Sequence, residues 1–268
     1  MSSAASRAAS IIEELDIRSI ADLQLLDQIA FARSAIVRQG GLDTAEARLV
    51  VGRPYSVITV SSTLGDSRRQ RFSIAHELGH LELHRYEVVF PCDAASMTYW
   101  ASKGSNENLE QAANEFAAAL LLPEKLFAPL CQDTDPSLDT ISQLSNRFNV
   151  SLIATARQYV RYCYEPVAVV WVQGGYIRWF QCNEAFSDNG FFINVNSIVD
   201  SSTVASRFFD RRPLPRAPQL VRASSWMRPG KFANIHLQEQ CVAMPNYEAV
   251  LSLLWANEEW DEDDENED

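Results

Sequence analysis

Arg71-Phe72-Ser73-Ile74-Ala75-His76-Glu77-Leu78-Gly79-His80-Leu81-Glu82-Leu83-His84 holds an H-E-x-x-H string inside a run, Ser73 to Leu83, with the apolar spacing of a helix. On a helix, positions i and i+4 differ by about 40° around the axis and about 6 Å along it. His76 and His80 therefore share a face, and their imidazoles can converge on one metal ion. Glu77 is turned about 100° from His76. It cannot comfortably join the same pair, but it can reach a water on the open side of the ion. Taken alone, the string describes two surface histidines on a helix equally well.

The downstream sequence decides between these readings. A catalytic zinc has three protein ligands and one open position. A metzincin would supply a histidine six residues after the second ligand, but position 86 is Tyr, which excludes that subclass. The remaining option is a carboxylate from a following helix. Leu109 to Leu122 reads as that helix, stopped by Pro123. Ala113, Phe116, Ala117 and Leu120 line one face of it, and the small alanines permit close approach to the first helix. Glu110 sits beside that stripe in the first turn. Asn114, one turn later on the same side, can accept a hydrogen bond from the second nitrogen of a ligand histidine.

The strings R-F-S-I-A-H-E-L-G-H-L-E-L-H and E-Q-A-A-N-E-F-A-A-A-L-L-L-P resemble the signature of the ImmA/IrrE family of metallopeptidases. Phe148-Asn149-Val150-Ser151 followed by Arg157 resembles that family's next block. The likeness runs from about residue 40 to 160, judged by these motifs. It implies one Zn2+ held by His76, His80 and Glu110, with Glu77 catalytic. Other divalent first-row metals compete for such nitrogen and oxygen sites. It also implies a protein substrate, because family members characteristically cleave helix-turn-helix repressors and so relieve repression of stress-response or mobile-element genes. One branch carries a C-terminal sensor-like domain similar to a GAF domain.

Outward from these motifs, residues 6 to 38 have helical spacing, stopped by Gly40-Gly41. Ala47 to Val51 and Val57 to Ser61 read as short strands split by Arg53-Pro54. Residues 87 to 108 read as a loop or broken helix. Ile141 to Arg147 and Ser151 to Tyr162 form a helix pair. After Glu165-Pro166 the texture turns strand-rich. Val167 to Val172, Tyr176 to Cys182 and Phe191 to Val195 run apolar or alternate, with a hairpin turn at Gly174-Gly175. Residues 207 to 231, rich in arginine and proline, read as a long loop. The expected fold class is α+β: a largely helical, zincin-like peptidase unit with a small sheet over residues 1–163, a strand-rich regulatory or recognition unit over 164–256, and an acidic disordered tail over 257–268.

Nine acids and no base among residues 258 to 268 account for most of the net charge of −12, and the body is near neutral. That gives no case for direct nucleic-acid binding. No stretch approaches the roughly 20 apolar residues of a membrane span. Five scattered cysteines without a CxxC pair read as reduced thiols in a cytoplasm. His84 lies about 12 Å along the helix from His76. It cannot join the same ion, which leaves it a structural or substrate-side role. His236 has no partner cluster in its neighbourhood. The rivals to an endopeptidase are a non-catalytic anti-repressor with a structural metal and a DNA-binding regulator built on the pair 141–162. The second helix of that pair offers only Arg157 and Arg161 as bases.

Overall fold

The structure is a computed structural model; it describes residues 2–43, 45–84, 91–93, 107–132, 134–227 and 235–256. The acidic tail lies outside these residues. In chain order the elements are α1 (Ser3–Glu14), α2 (Ile20–Gln24), α3 (Leu26–Ala32), β1 (Ala35–Gly40), β2 (Ala45–Val50), β3 (Ser56–Ser61), α4 (Ser67–Leu83), β4 (Pro91–Asp93), α5 (Glu107–Leu121) and α6 (Glu124–Gln132). Then follow α7 (Leu138–Phe148), α8 (Leu152–Tyr162), β5 (Val167–Gln173), β6 (Tyr176–Cys182), α9 (Glu184–Asp188), α10 (Ser206–Phe209), β7 (Gln219–Arg222), β8 (His236–Met244) and β9 (Ala249–Trp255). The class is α+β. Two compact units divide the chain, and they interleave in sequence: Met1–Leu130 with Gln143–Thr155, and Cys131–Ser142 with Ala156–Asp268.

In the first unit a mixed four-stranded sheet has the order β1-β3-β2-β4. β1 runs parallel to β3, and the other pairs are antiparallel. The single helix expected over residues 6 to 38 is three helices and a strand. Asp16 takes a positive φ of 52° and ends α1. Ser19 and Asp22 form a capping box that restarts the chain as α2. Ser34, at φ 60°, turns it out of α3. The β-branched Ile36 and Val37 then pair with Val57 and Ile58. Gly40 closes a strand, not a helix. Most of residues 87 to 108 lie outside the described residues, and Pro91–Asp93 within them is β4.

Two helices make the centre of this unit. Asp66 caps α4 by accepting from the Arg68 amide at 2.9 Å. Ala75, Leu78 and Leu81 are fully buried on α4, and Ala113, Phe116, Ala117 and Leu120 on α5. A Cβ built on Gly79 would stand 3.0 Å from the Phe116 ring and 3.1 Å from the Ala113 Cα. The two helices are therefore so close there that a side chain at position 79 would need Phe116 or the Ala113 backbone to give by a few tenths of an ångström.

Charged groups lock the ends of α4. Buried Arg71 donates to the carbonyls of Leu23 (2.9 Å) and Gln24 (3.3 Å), the last acceptors of α2. Near the other end, Glu82 accepts from Arg7 Nη2 at 2.6 Å and from Arg33 Nε at 2.8 Å, which ties α1 and the end of α3 to the last turn of α4. Glu14 completes the network against both arginines.

The second unit holds an antiparallel sheet of order β6-β5-β9-β8-β7. Its central strands, β5 and β9, are buried along almost their whole length, as their unbroken apolar runs require. Gly174 and Gly175, at φ 59° and 79°, make the β5–β6 hairpin turn. On one face Val170, Val172, Leu237, Val250 and Leu254 pack under Phe186, Phe191, Ile193 and Trp226. Phe191 to Val195, expected as a strand, contributes only a single bridge, Ile193 to Met227. Its apolar residues fill the core as a covering segment. On the other face Arg157 of α8 lies 5.1 Å from the Trp179 ring centroid, and the Leu138 amide donates to Gln240 Oε1 at 2.7 Å. The expected loop over 207 to 231 contains the end of α10 and all of β7, while residues 228–231 lie outside the described ones. Fully buried Glu239 accepts from the amides of Val204 (2.9 Å) and Ala205 (2.8 Å) and from Trp226 Nε1 (3.1 Å). These bonds pin the turn before α10 to β8, while burial pushes the carboxyl pKa up. Among the described residues, Cys131, Cys163, Cys182 and Cys241 are free thiols, and no helix is long and apolar enough to cross a membrane.

Burial pushes the Glu82 carboxyl up, but the hydrogen bonds and charges of Arg33 and Arg7 outweigh it and hold it below the usual carboxylate range. A depressed folded-state pKa stabilises the protein above the unfolded pKa, and the gain is lost as pH falls through the folded one. Glu82→Gln is expected to cost about 1–3 kcal/mol at neutral pH and to flatten the loss of stability below about pH 5. Chemical denaturation across pH checks both; an unchanged acid limb would remove Glu82 from the account.

Candidate metal centre

α4 presents His76 and His80 toward the first turn of α5, where Glu110 faces them. His76 Nε2 lies 3.0 Å from His80 Nε2 and 3.2 Å from Glu110 Oε2, and His80 Nε2 lies 3.3 Å from Glu110 Oε1. The two imidazole nitrogens and the Glu110 carboxylate thus form a triangle of groups, with a different carboxylate oxygen facing each ring. A tetrahedral ion bound at about 2.0–2.1 Å to imidazole nitrogen and carboxylate oxygen spaces its ligand atoms about 3.3 Å apart. The convergence of two imidazoles and a carboxylate at such separations, with the donor chemistry of a zinc site, fits a metal ion. Among the described residues this is the one group of three or more metal-ligating side chains that converges in this way.

The surroundings are unequal. His76 is fully buried, whereas the His80 and Glu110 side chains keep 14% and 16% of their exposure, so the triangle is reached from their side. Burial pushes the Glu110 carboxyl up, but the hydrogen bonds and charges of His76 and His80 prevail and hold it at about 2. It is an anion at neutral pH, as a metal ligand must be. Glu77, next to His76 on α4, is fully buried. The imidazoles stand edge to face, with centroids 4.7 Å apart at 81°.

Each ring has a partner on its other nitrogen. His76 Nδ1 lies 2.9 Å from Oδ1 of buried Asn114, and His80 Nδ1 lies 3.3 Å from His84 Nδ1. His84 is the C-cap of α4 and points at His80, not at the triangle. His236 opens β8, exposed, in the second unit. Two contributors escaped the sequence reading. Gly79 was legible in principle, as the one residue without a Cβ on the face that meets the alanine stripe. The Glu82 clamp was not, because nothing in the local sequence ties position 82 to Arg7 and Arg33.

Residues 40–159 match the family model described as the IrrE N-terminal-like domain. The radiation response metalloprotease IrrE of Deinococcus radiodurans is 32% identical over 121 residues. Over this segment the chain is similar to the ImmA/IrrE family. The aligned stretch is 44% of this chain and 34% of that relative, so the chain spans about a third of the length of the curated ImmA/IrrE protein it matches. A solved Mycobacterium tuberculosis transcriptional regulator shares the fold, with a TM-score of 0.58 over 96% of this chain and 77% of that one, at 16% identity.

Glu110→Gln leaves the two imidazoles but removes the anionic corner of the triangle. Metal analysis and chelator competition are expected to show a loss of affinity larger than the roughly 10- to 100-fold typical of losing an outer partner. Unchanged stoichiometry and affinity would exclude Glu110 as a ligand.

Proposed function

We propose that this protein is a zinc-dependent endopeptidase in which His76, His80 and Glu110 hold one Zn2+ and Glu77 is the general base. The observation that carries the reading is the convergence of two imidazole nitrogens and one carboxylate within 3.0–3.3 Å of one another on adjacent helices. A bound zinc ion supplies Lewis acidity: it polarises a carbonyl and lowers the pKa of water to about 7. The chain's own residues do the rest. Glu77 takes the proton of the attacking water and passes it to the leaving amine. Asn114 Oδ1 holds the His76 ring with its proton on Nδ1, which leaves Nε2 free to ligate.

The proposed substrate is a protein, specifically a helix-turn-helix repressor whose cleavage relieves repression in a stress response. That part rests on the family's characteristic substrates and on the naming of the curated relative as a radiation response metalloprotease. The free thiols are in keeping with a cytoplasmic setting. The second unit is proposed as a regulatory or recognition domain.

The anti-repressor reading keeps a structural metal and needs no base, whereas the sequence carries a glutamate, buried Glu77, directly after His76. The DNA-binding reading draws on the α7–α8 pair, yet Arg157, one of the two bases of α8, lies over the Trp179 ring. Glu77→Gln separates enzyme from anti-repressor, because the amide cannot accept the water's proton. It is expected to retain fold and metal while cleavage of a target repressor falls about 10²- to 10⁴-fold. A variant that relieves repression in cells as well as the wild type would contradict the catalytic reading.

A further inference from the structure

We propose that His84 is the hydrogen-bond partner that orients His80, a positioning residue for the metal centre. The inference rests on the reading of His76, His80 and Glu110 as the metal site. The His80 ring has two nitrogens, and the geometry divides their tasks. Nε2 faces the triangle, 3.0 Å from His76 Nε2 and 3.3 Å from Glu110 Oε1. Nδ1 faces away, 3.3 Å from His84 Nδ1. An imidazole that ligates through Nε2 must carry its proton on Nδ1. That proton needs an acceptor, and His84 Nδ1 stands in the acceptor's place. His84 is then the neutral tautomer with its own proton on Nε2.

The backbone sets this contact up. His84 is the C-cap of α4, with φ −128° and ψ 28°, and its amide donates to the His80 carbonyl at 2.8 Å. The last helical hydrogen bond therefore joins the same two residues as the ring contact, and the rings lie 5.5 Å apart at 51°. Two residues earlier, Glu82 is clamped by Arg7 and Arg33, so the turn that carries His84 is fixed from the opposite side. Among the described residues the centre thus has two unlike outer partners. Asn114, from α5, offers an amide oxygen to His76, and His84, from the end of α4, offers a ring nitrogen to His80.

The test uses the full chain loaded with zinc. His84→Phe keeps a ring but removes the acceptor, and His84→Gln offers an amide oxygen in its place. Chelator competition is expected to show zinc affinity about 10- to 100-fold weaker in His84→Phe, with much of it recovered in His84→Gln. Long-range proton–nitrogen NMR should place the His80 proton on Nδ1 in the wild type, with a downfield resonance that moves upfield or exchanges away in His84→Phe. Equal unfolding temperatures of the metal-free proteins would separate this from a loss of fold. Wild-type affinity and an unmoved His80 signal in His84→Phe, with Glu110→Gln still losing the ion, would overturn the role of His84 alone. Zinc binding indifferent to Glu110→Gln would overturn the metal-site reading and this inference with it.

Discussion

The close approach of α4 and α5 at Gly79 is the constraint on which the centre depends. A carboxylate must come within about 3.3 Å of two imidazole nitrogens to share an ion with them, and Glu110 is borne by a different helix. That distance is reached because a glycine on α4 meets the backbone of Ala113 and the ring of Phe116. Ala113, Phe116, Ala117 and Leu120 are all fully buried, so the contact is held by the exclusion of water from that face. Burying a phenylalanine side chain contributes about 1.5–3 kcal/mol, and Phe116 delivers that contribution less than two turns from Glu110. Stability and ligand geometry are thus set by the same residues.

The polar groups around this contact are there because the backbone and the buried charges must be satisfied. Arg71 answers the last carbonyls of α2, Asn114 answers His76, and Glu82 draws two arginines onto the final turn of α4. Each holds α4 against a different neighbour, which restricts rotation of the helix about its axis. A small rotation would swing His76 and His80 off the triangle together. In the second unit Glu239 has a similar task, anchoring a turn and Trp226 on its sheet. There the partners are backbone amides, an indole and a thiol, not cations, so burial prevails and the carboxyl pKa is raised, whereas at Glu82 the arginines outweigh burial.

The helices of the centre were legible because their information is local. H-E-x-x-H fixes a face by its i, i+4 spacing, and the 113, 116, 117, 120 stripe fixes which side of α5 goes inward. β5, β6 and their glycine turn were legible for the same reason. β1 was not, since Ile36 and Val37 continue the apolar spacing of the helices before them. Only the parallel partner β3, some twenty residues on, makes a strand the better outcome. Phe191 to Val195 misled in the opposite way: its alternation serves to bury Phe191 and Ile193 in a core, with no ladder to join. α6 went unread, with Pro123 before it and Pro129 inside it. Glu82 shows the limit: its value depends on the arginines that distant segments bring to it.

Two histidines and one glutamate from α4 and α5 are proposed to share a single ion. Zinc K-edge X-ray absorption on the loaded protein tests it most directly. The expected spectrum has a shell of nitrogen and oxygen at about 2.0–2.1 Å, with the outer scattering of two imidazoles and no sulfur. A sulfur shell near about 2.3 Å, or the scattering of one imidazole or none, would place the ion elsewhere and contradict it.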